Sequence, residues 1–432
     1  TKDGVTSKKL PLGKYYVIEK TAPDGFIISK EKHDVDLVYK DQNTEVVFDE
    51  TSYKNERQKV ELSIVKKDAD TQTPLKYSDE SVYKTAKEDI LNADGKIAVN
   101  ADELVYQAES DEKGIAHFEC DLPLAKYYVK EMKSPTGYAS SDKAIDFNAS
   151  YQGQNKQVVE LSSDFYNDIT KVEISKKDIT NDEEIEGAHL KVYPKDKPNE
   201  VFETWVSGQD GKNEDGAIKP HLIKGLEVGV TYILEETSSP YGYAITKDVE
   251  FTVLDTGEIQ SVEMKDEIVF GQLKWRKHGT IFNQVITGQT EFGKTESPVW
   301  NESNLLGSEI TIYAAQDIKI GNHTYYKADE KIETLESDWD YVFSKKLPVG
   351  LYYYMESKTP HGYVIDTNKH YFEIKDNQIN EIQTIESTLE NKRPTFDINM
   401  TKVLEEQKIF KNENAYKDII FGIYAREDIY DY

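Results

Sequence analysis

A twelve-residue block recurs four times in the chain: YYVIEKTAPDGF (15–26), YYVKEMKSPTGY (127–138), YILEETSSPYGY (232–243) and YYYMESKTPHGY (352–363). Each reads as an aromatic strand, a Glu and then a Pro-Gly turn. Repetition on this scale constrains the architecture more than any local preference, because each unit must bury its own core or share one with its neighbour. Three of the blocks follow a leucine-led turn, in KLPLGKYY, DLPLAKYY and KLPVGLYY, and the third block follows GLEVGVTY. Between the blocks lie VELSIVKK, KVEISKK, GQLKWRK and FDINMTK. Their apolar residues alternate, which is the mark of a half-buried strand.

Helix patterns are sparse, and the best of them, Tyr83 to Leu91, reads as a connection between strands. Many short strands separated by Pro, Gly, Asn and Asp turns predict an all-β chain of tandem β-sandwiches. The repeats divide it into modules at 1–57, 58–169, 170–268, 269–393 and 394–432. Linkers are short and none is Gly/Ser-rich, so closely joined modules in a rod are expected. The first and last segments do not make whole modules. TKDGVTSKKLPLG matches the middle of the second module, and FGIYAREDIYDY resembles VYKTAKEDILNA. Segment 1–57 therefore reads as the C-terminal half of a module and 394–432 as the N-terminal half of one, with roughly 17 residues missing between them. Such ends suit a window on a longer array or a subunit completed by a neighbour.

Composition narrows the function. Against 53 Lys and Arg stand 80 Asp and Glu, a formal charge of -27 that repels a phosphate backbone and argues against nucleic acid as a partner. With 29 Tyr and 38% hydrophobic residues, the chain can pack cores despite its charge. No run reaches the ~20 apolar residues of a membrane span, and the N-terminus lacks a signal-peptide pattern, so any anchoring or secretion signal is expected outside this chain. Cys120 is the single cysteine, and an internal disulfide is excluded.

Strand parity exposes three polar residues per module, since positions i, i+2 and i+4 share a face. The first strands place Val60, Leu62, Ile64 and Lys66 together, then Val172, Ile174 and Lys176, then Leu273, Trp275 and Lys277, then Phe396, Ile398, Met400 and Lys402. The Glu strands align Tyr15, Val17 and Glu19; Tyr127, Val129 and Glu131; Tyr232, Leu234 and Glu236; Tyr352, Tyr354 and Glu356. Parity selects Glu236 over its neighbour Glu235. The last strands add Asn55, Asn167, Asp266 and Asn391. A Lys, a Glu and an Asn or Asp thus point into each core.

Burying an unpaired charge costs several kcal/mol, so a recurring inward set needs an account. One account is a buried ion pair, or strand-end side chains reaching out to water. The other is covalent. Desolvation favours a neutral amine and a neutral carboxylic acid, the amine is a nucleophile, and the acid polarises the Asn or Asp carbonyl and carries protons. The product is an amide between side chains. Spacing favours this second account, because the Asn or Asp precedes the next inward Lys by similar intervals: 11 residues from Asn55 to Lys66, 9 from Asn167 to Lys176, 11 from Asp266 to Lys277 and 11 from Asn391 to Lys402.

These blocks resemble the B-type (SpaA-like, prealbumin-like) repeat domains of the collagen adhesin Cna, found in Gram-positive pilins and surface adhesins. The likeness rests on the Lys ending the first strand, the YxxxExxxPxGY block and the Asn or Asp of the last strand, and it covers nearly the whole chain. The best match is 171–268, with KVEISKKDITNDEEIEGAHLKVY, YILEETSSPYGY and VEMKDEI, which resembles the variant forming a Lys to Asp bond. The resemblance implies Ig-like, prealbumin-like sandwiches and intramolecular isopeptide bonds Lys66 to Asn167 with Glu131, Lys176 to Asp266 with Glu236, and Lys277 to Asn391 with Glu356. For the split module it implies Glu19 and Asn55, with a lysine equivalent to Lys402 supplied from outside the head. The second module departs from the pattern in lacking Gly-Ala before its third strand, and the fourth in having HGT after Lys277.

Other candidates carry less. The eight His show no metal-ligand spacing, so no metal or cofactor is expected and solvated imidazoles are the default. DGKNEDG (210–216) puts Lys212 at a would-be calcium ligand position and reads as an acidic turn. VYPK (192–195) looks like a pilin motif whose lysine is joined to the next subunit, but it falls within a strand, which argues against Lys195. Cys120 alternates with Phe118 and Leu122 and reads as a buried thiol. The expectation is a structural stalk or fibre segment on a bacterial surface, extracellular and wall-associated, with single-turnover bond formation rather than an enzyme. Its partners would be further copies or neighbouring modules. The alternative is an adhesin module that binds a host protein or glycan, and a spacer within a large extracellular enzyme is weaker.

Overall fold

A computed structural model of the chain describes residues 4–75, 88–91, 95–403 and 419–430. Among these the regular elements are strands, with no helix. The connection expected over 83–91 lies outside the described residues except at its end, where Ile90–Leu91 pairs with Ile97–Val99. The side chain of Cys120 also lies outside the described set.

One plan recurs in three cores. In each, an opening strand pairs in parallel with the closing strand, although they are about a hundred residues apart in sequence. Lys59–Asp68 pairs with Val158–Asn167, Lys171–Asp178 with Ile259–Asp266, and Phe270–Thr290 with Gln383–Asn391. A second sheet carries the Glu strand and covers the apolar face of the first. In the third module it runs Glu203–Val206, His189–Pro194, Thr231–Ser238, Val249–Thr252. In the fourth it runs Lys331–Glu336, Glu309–Ala314, Gly350–Lys358, His370–Ile374. The cores form where alternating residues of the two sheets meet: Val60, Leu62, Ile64, Tyr127, Val129 and Phe165 in one, Val172, Ile174, Leu234 and Met264 in the next, and Leu273, Trp275, Tyr352, Tyr354 and Leu389 in the last. These are sandwiches packed face to face.

The two end segments, expected as half modules, behave differently. In the head, Gly13–Ile18 pairs with Lys32–Leu37 alone, and Val17 stays 42% exposed. The inward face expected of Phe396, Ile398, Met400 and Lys402 is not realised: these residues lie exposed and outside any strand. A strand face is buried only when a second sheet covers it and a ladder holds it, and segment 394–403 has neither.

Adjacent modules are joined by a repeated contact. The Pro-Gly turn of one module accepts, at its glycine carbonyl, the N–H of the residue three past the closing-strand Asn or Asp: Gln58 to Gly25 at 2.8 Å, Thr170 to Gly137 at 3.0 Å and Val269 to Gly242 at 2.8 Å. Gly137 needs its positive φ of 82°, and a Cβ there would stand 2.6 Å from the Gly225 carbonyl oxygen. After Asn391 the corresponding residue is Pro394, which has no N–H to give. The fourth module also has a feature the repeats did not foretell. Its opening strand continues past Lys277 to Thr290 and returns through Gly293–Asn304, forming a two-stranded arm with Ile281, Phe282, Val285 and Ile286 exposed. At its base the Arg393 guanidinium lies 3.3 Å over the Trp300 ring.

Candidate functional site: a buried lysine, carboxyl and amide in each core

Parallel register decides what meets in the core. Lys66 stands opposite Phe165, so Asn167 lies two positions further along the same face, opposite Asp68. The third module repeats this with Lys176 opposite Met264 and Asp178 opposite Asp266, and the fourth with Lys277 opposite Leu389 and Gly279 opposite Asn391. The Glu strand of the other sheet brings its carboxyl down on the pair. Lys66, Lys176 and Lys277 are each at most 1% exposed, and Glu131, Glu236, Glu356, Asn167, Asp266 and Asn391 are buried with them.

In the second module Lys66 Nζ donates to Glu131 Oε1 and, at 2.5 Å, to Asn167 Oδ1. Asn167 Nδ2 donates to Glu131 Oε2 at 2.8 Å and to the Ala139 carbonyl at 2.9 Å. Burial pushes the Lys66 amine below its ordinary range against the opposing pull of Glu131. The ring of Phe165, 4.4 Å from Nζ, forms the floor.

In the third module Lys176 Nζ contacts Asp266 Oδ1 and lies 3.0 Å from Glu236 Oε2. Two carboxyls thus share one amine, and Glu236 Oε1 and Asp266 Oδ2 are left without hydrogen-bond partners. Desolvation, with a further push from the nearby Glu236, raises Asp266 to about 7 while Lys176 pulls the other way. A carboxyl near neutrality can hold the proton that its hydroxyl needs in order to leave as water. Glu235, the neighbour that parity rejected, pairs instead with Lys191 at 2.9 Å.

The fourth module is arranged less tightly. Lys277 Nζ is 2.8 Å from Glu356 Oε1 but off hydrogen-bonding alignment, and burial lowers its proton affinity. Asn391 Nδ2 is surrounded by Glu356 Oε2 at 3.0 Å, Thr359 Oγ1 at 2.5 Å and the Val364 carbonyl at 2.8 Å. Asn391 Oδ1 is buried with no partner, so the lysine does not reach the acceptor carbonyl.

The head repeats half of the arrangement. Asn55 Nδ2 donates to Glu19 Oε2 at 2.6 Å and to the Ile27 carbonyl at 2.8 Å. Among the described residues no lysine joins them, and Lys402 lies exposed toward the other end of the sequence.

A further group escaped the sequence reading. The N–H ten residues past each Glu donates to its Oε2: Ser29 at 2.6 Å, Ser141 at 3.1 Å, Thr246 at 2.9 Å and Asp366 at 2.8 Å. This donor fixes Oε2 as an acceptor and leaves Oε1 toward the lysine in the second and fourth modules. The constant spacing of ten was the available signal.

The remaining candidates fall elsewhere. The solvated default fails at His221, which is 8% exposed, stacked on Trp205 and held between Asp210 at 2.7 Å and Glu203 at 3.0 Å. The contact satisfies both ring nitrogens, which is why burial is tolerated. Lys195 lies just past its strand on the surface, paired with Glu250. Among the described residues no cluster of His, Cys, Asp or Glu is arranged to hold a metal, and no helix is long and apolar enough to cross a membrane.

Chemically, a neutral Lys Nζ beside an Asn or Asp carbonyl can attack the side-chain carbon. A new N–C bond forms, the Asn C–N or Asp C–O bond breaks, and ammonia or water leaves. A Glu carboxyl so placed can pass a proton to the departing ammonia or water and take one from the attacking nitrogen, ending as it began.

The prealbumin-like fold domain SpaA matches the chain over residues 1–52, 60–163, 170–268 and 289–388. Among solved structures, the chain is similar to the Bacillus anthracis TIE protein, with 22% identity over 78% of this chain and 52% of that one and a TM-score of 0.48. It thus spans about half the length of that protein. It is also similar to BcpA, the major pilin subunit of Bacillus cereus, with 12% identity, 78% of this chain, 100% of that one and a TM-score of 0.37. The full-length major pilin SpaD from Corynebacterium diphtheriae shares 16% identity over 78% of this chain and 98% of that one, with a TM-score of 0.31. No curated protein matches the chain.

Proposed function

Because the chain belongs to the SpaA family of prealbumin-like fold domains, we propose that it is a segment of an extracellular, wall-associated surface fibre or stalk whose modules are stapled by side-chain amides. The staples are Lys66 to Asn167, Lys176 to Asp266 and Lys277 to Asn391, with Glu131, Glu236 and Glu356 as the proton carriers. The single observation that supports this most is the recurrence, in three separate cores, of a fully buried lysine against a buried Glu and a buried Asn or Asp at the same register. Three independent burials of this kind each cost several kcal/mol if they are only ion pairs, whereas the amide product is neutral and removes that cost.

The modules are taken as 58–169, 170–268 and 269–393, flanked by half modules at 1–57 and 394–432. In the head, Glu19 and Asn55 form the acid and acceptor of a site whose amine comes from a strand equivalent to the one ending at Lys402, carried by a neighbouring module or a further copy. Each staple joins the first strand of a module to the last, so tension along the chain crosses the amide and bypasses the hydrogen-bond ladder. A host protein or glycan as an additional partner is the finer alternative.

The test is the intact mass of the denatured chain with mapping of crosslinked peptides. Each Asn site should subtract about 17 Da as ammonia and the Asp site about 18 Da as water. Glu131→Ala, Glu236→Ala and Glu356→Ala should each abolish one of these losses. A mass equal to that of the sequence leaves buried ion pairs only and shifts the reading to ligand binding.

A further inference from the structure

Two residues past the lysine, on the same inward face, the second and third modules carry a second buried carboxylate, Asp68 and Asp178, each 5% exposed. Neither touches the reacting atoms. One oxygen of each closes the turn that follows the opening strand: Asp68 Oδ1 accepts from the Thr71 N–H at 2.7 Å and Asp178 Oδ1 from the Thr180 N–H at 2.7 Å. The other oxygen accepts the hydroxyl of the tyrosine that ends the Pro-Gly-Tyr turn, Tyr138 at 3.1 Å and Tyr243 at 2.9 Å.

That tyrosine is adjacent to the acceptor's own anchor. Ala139 follows Tyr138, its carbonyl holds Asn167 Nδ2 and its N–H bonds the Asp168 carbonyl at 2.9 Å. The equivalent Ala244 bonds the Glu267 carbonyl at 2.9 Å. The Tyr–Asp contact therefore ties the strand that carries the amine to the turn that holds the acceptor.

The fourth module provides the contrast. Gly279 stands where the aspartate would be, and a Cβ there would lie 2.7 Å from Leu305 Cδ1 and 3.0 Å from the Asn391 carbonyl, so the position is closed to Asp. Tyr363 donates to the Thr280 backbone carbonyl at 2.8 Å instead. Where the Tyr–Asp contact exists, Lys Nζ sits on the acceptor oxygen; where it is replaced, Asn391 Oδ1 has no partner.

We propose that Tyr138 with Asp68 and Tyr243 with Asp178 are positioning residues for amide formation, holding the amine over the acceptor carbonyl. This rests on the stapling reading above. The third module depends on the clasp most, since Asp266 has no amide N–H with which to grip the Ala244 carbonyl. Displacement of a reacting atom by about 1 Å can cost about a hundredfold in rate, so losing one tether should be visible kinetically.

The experiment follows bond formation in the full chain. Newly synthesised chain is collected in denaturant, folding is started by dilution, and samples quenched over time are assayed for the mass loss of each module. Folding of the third module is read separately by pulsed hydrogen exchange of the peptide that contains Trp205. Tyr243→Phe should slow the Lys176–Asp266 bond by about tenfold or more, leaving the folding signal and the second-module rate unchanged. Asp178→Ala should do the same, and Asp178→Asn, which still bonds the tyrosine and the turn, should restore the rate to within about threefold. A wild-type rate in Tyr243→Phe overturns the proposal, as does Asp178→Asn behaving like Asp178→Ala. Should Asp178→Ala not fold, Tyr243→Phe, which removes one oxygen, decides alone. A wild-type chain that loses no mass in any module refutes the stapling reading itself and this inference with it; mass loss with an indifferent Tyr243→Phe refutes the clasp only.

Discussion

The head and the second module contain the same Glu and Asn in the same embrace, yet one pair is half-exposed and the other buried. Asn55 reaches Glu19 and the Ile27 carbonyl as Asn167 reaches Glu131 and the Ala139 carbonyl, and Ser29 and Ser141 supply the same N–H. The acid and its acceptor are thus arranged by local structure: a strand, a turn ten residues on, and the segment that carries the Asn returning alongside, which in the head is not a strand. What the second module adds is the opening strand Lys59–Asp68, which delivers Lys66, and the apolar cover of Val60, Ile64 and Phe165 that removes water. Geometry comes from the half, reactivity from the whole.

The sharpest way to break this comparison is to remove the buried partner. Glu131→Ala should block the second-module staple and also leave Lys66 buried without its counter-charge, which adds about 3–5 kcal/mol to the cost of the missing staple, read as the fall in the module's denaturation midpoint. Losing the staple alone, in Asn167→Ala, frees a loop whose ends are 101 residues apart. By the chain-entropy rule for covalent loops this costs about 4–5 kcal/mol, and force spectroscopy should show a module-length extension absent from the parent.

The modules should also differ in their response to pH. Burial lowers the Lys66 proton affinity, so the neutral amine grows as pH rises, and the second-module bond should form faster at pH 8 than at pH 6. Asp266, raised to about 7, must keep its proton to lose water, so the third-module bond should form more slowly over the same rise. The sign for stability agrees: in the unlinked third module Asp266 holds its proton more tightly folded than unfolded, so its contribution is fully present below about pH 4 and is lost as pH rises through about 7. Parallel trends in the two modules would show that these burials do not control the chemistry. The smallest effect is expected in the head, where Asn55→Ala should change stability by about 1 kcal/mol or less, because the bonds it loses are open to water.

Much of this was legible in the chain. Alternation fixed which side chains of VELSIVKK face inward, and the repeated Glu and the returning Asn or Asp followed from parity alone. What was not legible depends on register between distant strands. Asp178 and Tyr243 are 65 residues apart, and nothing in either local pattern says that one lies over the other. The arm was hidden for a different reason: in HGTIFNQVITGQT the apolar residues stand in adjacent pairs, Ile281 with Phe282 and Val285 with Ile286, so the alternation that marks the core strand stops where the arm begins. His221 escaped because its burial rests on Asp210 and Glu203, which come from a loop and another strand.

The parallel pairing of first and last strands divides each module into two classes of residue. If load passes from the opening strand through the amide and out after the closing strand, only the eight or so residues from Lys59 to Lys66 carry it inside the second module. Everything between the joined side chains hangs beside the load path like cloth from a taut line. Such material is free to diverge in sequence and length without weakening the tether, and the arm of Thr280 to Asn304, inserted between Lys277 and Asn391, sits in that mechanically silent interval.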